Sequence, residues 1–149
     1  MKKHFLIATD GSQGAYEAVQ QGTALAREAG AAITLVSVRH SPLPVLGDPY
    51  YQRMLSAELA RARAVVEEAA AGVVAAGVDV ETEILEGNPA DGIAKLAHSR
   101  AVDLIIVGAR GRGGIAGGLL GSVSEGVVHR ADRPVLVVKP GSKTERRAA

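Results

Sequence analysis

The chain has 149 residues and a net charge of +1, from 17 basic and 16 acidic side chains, with no cysteine and no tryptophan. This length fits one domain with a core of its own, and the lack of cysteine excludes a disulfide frame or a thiolate metal site. With balanced charge and only three Tyr and one Phe, the chain has no field to steer it onto nucleic acid and few platforms for stacking bases.

No apolar run approaches the ~20 residues of a membrane span. The opening Met1-Lys2-Lys3 imitates the basic start of a signal peptide, but Asp10 interrupts the apolar stretch after five residues. A cytoplasmic protein is expected, without a membrane or nucleic acid as partner.

Residues 4–9 read as a short apolar strand. Asp10-Gly11-Ser12 breaks it, and Ser12 is placed to cap a helix. Ala15, Ala18, Val19, Gly22, Leu25, Ala26 and Ala29 follow at helical spacing, and Gly30 closes that helix. Residues 32–38 form a second strand, rich in β-branched side chains. Two prolines and a glycine make 39–48 a loop. Asp48 is expected to cap the second helix, with Pro49 at its first position. Leu55, Leu59, Ala62, Val66, Ala69 and Val73 form its apolar stripe, and Gly77 ends it.

Residues 78–85 alternate apolar and polar, as an edge strand does. Asn88-Pro89 opens a third helix that turns Ile93, Leu96 and Ala97 inward. The apolar run 102–107 reads as a central parallel strand covered on both faces. A glycine-rich loop, 108–121, follows. Ser122-Val123-Ser124-Glu125 has the form of a capping box opening the last helix. Residues 135–138 make the final strand, entered through Pro134. The polar tail 141–149 is expected to be disordered. No repeat is evident. Strand and helix alternate four times before a fifth strand. The sequence therefore predicts an α/β fold in residues 1–140: a single open, twisted, five-stranded parallel sheet with helices on both faces.

In such sheets, ligands bind beyond the carboxyl ends of strands, where the strand order reverses. Two strand ends stand out: Ala8-Thr9-Asp10-Gly11-Ser12, and the loop that begins at Gly108. That loop holds seven of the chain's 18 glycines within fourteen residues. Glycines let successive N–H groups turn toward one centre, and the helix that follows offers its own free amides to an anion. A polyphosphate cradle is the functional reading; a plain surface loop is the alternative. The loop lacks the Gly-Lys-Ser/Thr of a Walker A motif. Gly111-Arg112-Gly113-Gly114-Ile115-Ala116 matches a dinucleotide fingerprint, but the loop runs on to Gly121 and no acidic residue closes the next strand. Arg110 and Arg112 read equally as phosphate partners or solvated charges. Asp10 serves either a ligand or its turn, and the Ser122 hydroxyl either a phosphate or the helix cap.

The spacing Gly108-x2-Gly111-x9-Gly121-Ser122, with Thr9-Asp10 at the first strand end and the closing Arg133-Pro134-Val135-Leu136-Val137-Val138, resembles the ATP-binding branch of the universal stress protein family. The resemblance covers nearly the whole chain. It implies a Rossmann-like fold of the adenine nucleotide alpha hydrolase type. It also implies that Asp10 faces the nucleotide, and that Thr9 and Ala8 line the adenine and ribose side. Many relatives have Pro in place of Ala8. Val38 matches the position whose backbone reads the adenine edge. Gly108 and Gly111 are implied to approach the ribose and phosphates. Gly121 through its N–H, Ser122 and Ser124 are implied to hold the distal phosphates, with a backbone contact from Val123. ATP is the implied cofactor, with Mg²⁺ or Mn²⁺ bound through its phosphates, and the implied assembly is a homodimer through the last strand.

No nucleophile–base pair is visible. His4 begins a strand, His40 lies in the variable loop, and His98 and His129 lie on helices. The leading expectation is an ATP-binding module that regulates a stress response. A slow ATPase with Asp10 positioning metal or water is the first alternative. A nucleotide-free dimeric adaptor is the second, and the intact glycine motif argues against it.

Overall fold

The computed structural model describes residues 2–40, 47–109 and 120–140. Five strands, β1 (His4–Ala8), β2 (Ala32–Arg39), β3 (Val80–Glu86), β4 (Leu104–Gly108) and β5 (Val135–Val138), alternate with four helices, α1 (Gln13–Ala29), α2 (Tyr50–Ala75), α3 (Pro89–Ser99) and α4 (Ser122–Arg130). The sheet runs β3-β2-β1-β4-β5, with every pairing parallel. The expected α/β fold and the edge position of β3 are therefore as read from the sequence.

The pleat explains the two cores. Phe5 and Ile7 project to one face, where α1 and α2 cover them with Ala18, Val19 and Val73. Leu6 projects to the other, where α3 and α4 bring Ile93, Ala97 and Val127. Side chains alternate along a strand, so a central strand buried on both faces must be apolar at every position.

Several local expectations shift. The third strand begins at Val80, because buried Val78 is still tied to the end of α2 by its amide on Val73 O at 3.2 Å. The fourth begins at Leu104: Val102 closes α3 through Ala97 O, and Asp103 Oδ2 accepts the His4 amide at 2.8 Å. The Asp48–Pro49 peptide is cis, Pro49 is the N-cap residue of α2, and no side chain caps that helix. Gly47 O and Pro49 O take the Tyr51 and Arg53 amides instead, so Asp48 has no capping role. On α1, Leu25 and Ala29 are exposed despite their spacing.

On α2 only Ala62, Val66 and Val73 of the expected stripe are buried, while Leu55 and Leu59 are half-buried. Geometry gives the reason. Twenty-six helical residues span ~39 Å. The eight of β2 span ~26 Å. Because α2 descends from the carboxyl edge of β2 to the start of β3, its surplus length rises above that edge and walls one side of the space there.

Candidate nucleotide site

The chain turns to opposite faces from two adjacent strands: β1 feeds α1, and β4 leads to α4. The crevice beyond their carboxyl ends is the switch point of the sheet. A cavity of about 540 Å³ lies there, within the range of small-molecule sites.

Its floor is the turn after β1. Thr9 is buried, its amide donates to Val36 O at 2.9 Å, and its Oγ1 accepts the Gly11 amide at 3.3 Å. Asp10 Oδ1 accepts the Ser12 amide at 2.9 Å, and Ser12 Oγ accepts the Ala15 amide at 3.2 Å. Gly11 sits at φ +82°, where a glycine is favoured. Asp10 is thus a turn former and also a half-buried carboxylate on the cavity wall.

The second floor strand ends at Gly108, which lines the cavity but owes its glycine to packing. A Cβ there would stand 2.8 Å from Gly14 O and 2.9 Å from Gly14 C. The missing side chain lets β4 pass close under the first turn of α1.

The far wall is the start of α4. Gly121 is its N-cap residue, in place of the expected Ser122. The Gly121 amide donates to Ala109 O at 2.6 Å, so it is committed to the protein, contrary to its expected role as an anion donor. This bond makes Ser124 the third helical residue, which removes Glu125 from capping-box register. The Ser124 hydroxyl, nearly fully buried, is shared between Ala109 O at 2.9 Å and Gly121 O at 3.0 Å. Ser124 thereby fastens α4 to the end of β4. The first intrahelical bond begins at the Glu125 amide, which donates to Gly121 O at 3.0 Å. The Ser122, Val123 and Ser124 amides precede it, and a helix leaves such donors free for an anion.

Nine of the eleven expected site residues line this one cavity: Ala8, Thr9, Asp10, Val38, Gly108, Gly121, Ser122, Val123 and Ser124. Arg110 and Gly111 lie outside the described residues, as do Arg112, the rest of that loop and the tail 141–149. The α2 wall is not evident from the sequence. Glu58, Arg61, Ala62 and Val65 face the cavity. Their spacing of 0, 3, 4 and 7 is itself a helical face, displaced by one position from the stripe read as core. Arg39 and His40, at the end of β2, also border the cavity, and Arg39 Nη2 donates to Glu86 Oε2 at 2.8 Å. Among the described residues, no cluster of three or more His, Asp or Glu could hold a metal by itself. No described helix is long and apolar enough to cross a membrane.

The one histidine with a shifted pKa is at the opposite edge of the sheet. Burial, followed by the nearby Arg100 guanidinium, pushes His4 below its ordinary 6.5. Its Nε2 lies 2.6 Å from Oγ1 of the fully buried Thr34.

The model of the universal stress protein family matches residues 1–139. A universal stress protein of Thermus aquaticus is 38% identical over 141 residues, covering 93% of this chain and all of that one. Among solved structures, universal stress protein UspA from Lactobacillus plantarum superposes with a TM-score of 0.82 at 28% identity, over 91% of this chain and 97% of its own. A universal stress protein solved in complex with cAMP gives a TM-score of 0.67 at 30% identity, over 91% of this chain and 95% of that one. With the expected five-stranded parallel sheet and a family match over residues 1–139, the chain belongs to the universal stress protein family.

Proposed function

We propose that the cavity binds an adenine nucleotide, ATP in the first place, and that occupancy regulates the protein's partners in a cytoplasmic stress response. The observation that carries this reading is the start of α4, where the Ser122, Val123 and Ser124 amides have no partner among the described residues, on a cavity that apolar side chains also line. An anionic tail and a flat apolar head are the two halves of a nucleotide, and the cavity offers one surface to each. A 30% identical relative holding cAMP supports the adenine half. Gly111, by family resemblance, and Arg110, by its charge, complete the phosphate side in this reading. A Mg²⁺ or Mn²⁺ ion would be carried by the phosphates and faced by Asp10. Asp10, whose Oδ1 accepts the Ser12 amide, is held at the cavity wall to face the nucleotide. The assembly proposed is a homodimer through β5.

Mass spectrometry of nucleotide released from freshly purified protein tests this reading. Stoichiometric adenine nucleotide is expected. Gly121 has φ −71° and ψ 165°, ordinary for any residue, so Gly121→Val should keep the fold, crowd the phosphate side and release the nucleotide. Retention unchanged in Gly121→Val contradicts the cradle.

A further inference from the structure

We infer that Arg61 is a base-contacting residue, closing over the face of the nucleobase from α2. The inference rests on the proposed nucleotide reading and deepens it.

Arg61 sits on the part of α2 above the carboxyl edge of the sheet, exposed, on the face that lines the cavity. The two other basic side chains described there differ from it. Arg39 is tethered through Nη2 to Glu86 at 2.8 Å, and His40 carries an imidazole in place of a guanidinium. Among the described residues, Arg61 has no hydrogen-bond or ion-pair partner. Glu58, three residues earlier on the same face, is the nearest competitor along the helix, and no ion pair joins them. A guanidinium left unmatched on a cavity wall is available to a ligand.

The polarity of the cavity decides which part of the ligand it meets. The free amides are at α4. Apolar side chains also line the cavity, among them Val36 and Val38 of β2, Ala62 and Val65 of α2, and Ile93 of α3. Phosphates go to the amides, so the base goes to the apolar side chains, and Arg61 lies beside Ala62 and one helical turn before Val65 on the α2 face that lines the cavity. A guanidinium is planar and weakly hydrated, and it stacks on an aromatic ring more readily than an ammonium does. The chain's own aromatic side chains leave this role open: no Tyr or Phe lines the cavity.

Calorimetric titration of ATP, AMP and adenosine into nucleotide-stripped wild-type and Arg61→Ala protein, at low and high salt, tests this. Arg61 is exposed, so the variant folds. Stacking at a partly exposed site corresponds to about a two- to fivefold loss of affinity. The same factor is expected for all three ligands and at both salt concentrations. A loss for ATP that shrinks with AMP, vanishes with adenosine and fades in salt puts Arg61 on the phosphates and overturns the inference. Equal affinities for wild type and variant overturn it as well, leaving a solvated charge. Wild-type protein that binds none of the three ligands refutes the nucleotide reading itself, which separates the two failures.

Discussion

Gly108 and Ser124 show how a single atom can set the geometry of this site. At Gly108 the absent Cβ would meet backbone, not a flexible side-chain end, 2.8 Å from Gly14 O. Neither β4 nor α1 can yield without moving the floor of the cavity. Gly108→Ala should therefore cost roughly 1–3 kcal/mol of stability, read from urea unfolding, with weaker nucleotide binding alongside. Unchanged stability would show that the strand and helix can part freely. His4 acts at the other edge. Its folded pKa lies below the ordinary 6.5, so in the window between the two values the unfolded chain binds more protons than the folded one. Stability is full above about pH 6.5 and falls as the pH drops through the folded value, where the loss levels off. The groups around it are Thr34, Arg100, Glu81 and Asp103. Unfolding midpoints measured from pH 8 to pH 5 should decline through this window, and His4→Gln should flatten that part of the curve. An identical slope in the variant would assign the decline to other groups.

At the scale of elements, β5 pairs only with β4 and is the last strand of the sheet. Its Leu136 is about 37% exposed. A short apolar edge of this kind invites pairing with a second copy. Leu136→Glu should weaken self-association by at least about tenfold in sedimentation equilibrium and leave the monomer folded; an unaltered dimer would place the interface elsewhere. The elements themselves were legible because their signals are local. Asn88 caps α3 by accepting the Asp91 amide at 3.0 Å, and Ser12 caps α1, each as its sequence context implies. Signals that depend on distant partners were not legible. The start of α4 moved by one residue because Ala109 O, twelve residues earlier, captures the Gly121 amide. The cavity-facing side of α2 was hidden for a similar reason. Periodicity marks Glu58, Arg61, Ala62 and Val65 as one face, but only the excess of helix length over strand length reveals that this face overlooks a ligand space. For Gly108, which the family resemblance places near the ribose and phosphates, a sequence shows that a side chain is missing and not that Gly14 also requires its absence.

For the molecule as a whole, the two edges of the sheet carry different burdens. The amino edge is tied by charge: Lys2 with Asp79 at 2.5 Å, and Arg100 with Glu81 and Glu83. Exposed pairs of this kind contribute little each, and they respond to salt and pH. The carboxyl edge gathers the first amides of α4, Asp10 and the α2 wall around one cavity. Binding there stabilises the fold by mass action without needing the amino edge to change. In the proposed complex, three amides at the start of α4 grip the anionic tail of an adenine nucleotide. Titrating ATP into ¹⁵N-labelled, nucleotide-stripped protein and following the backbone resonances tests it most directly. The Ser122, Val123 and Ser124 amides should shift together and saturate with one equivalent, with Thr9 and Asp10 moving alongside. ATP that leaves those three resonances in place, whether it binds elsewhere or not at all, contradicts the account.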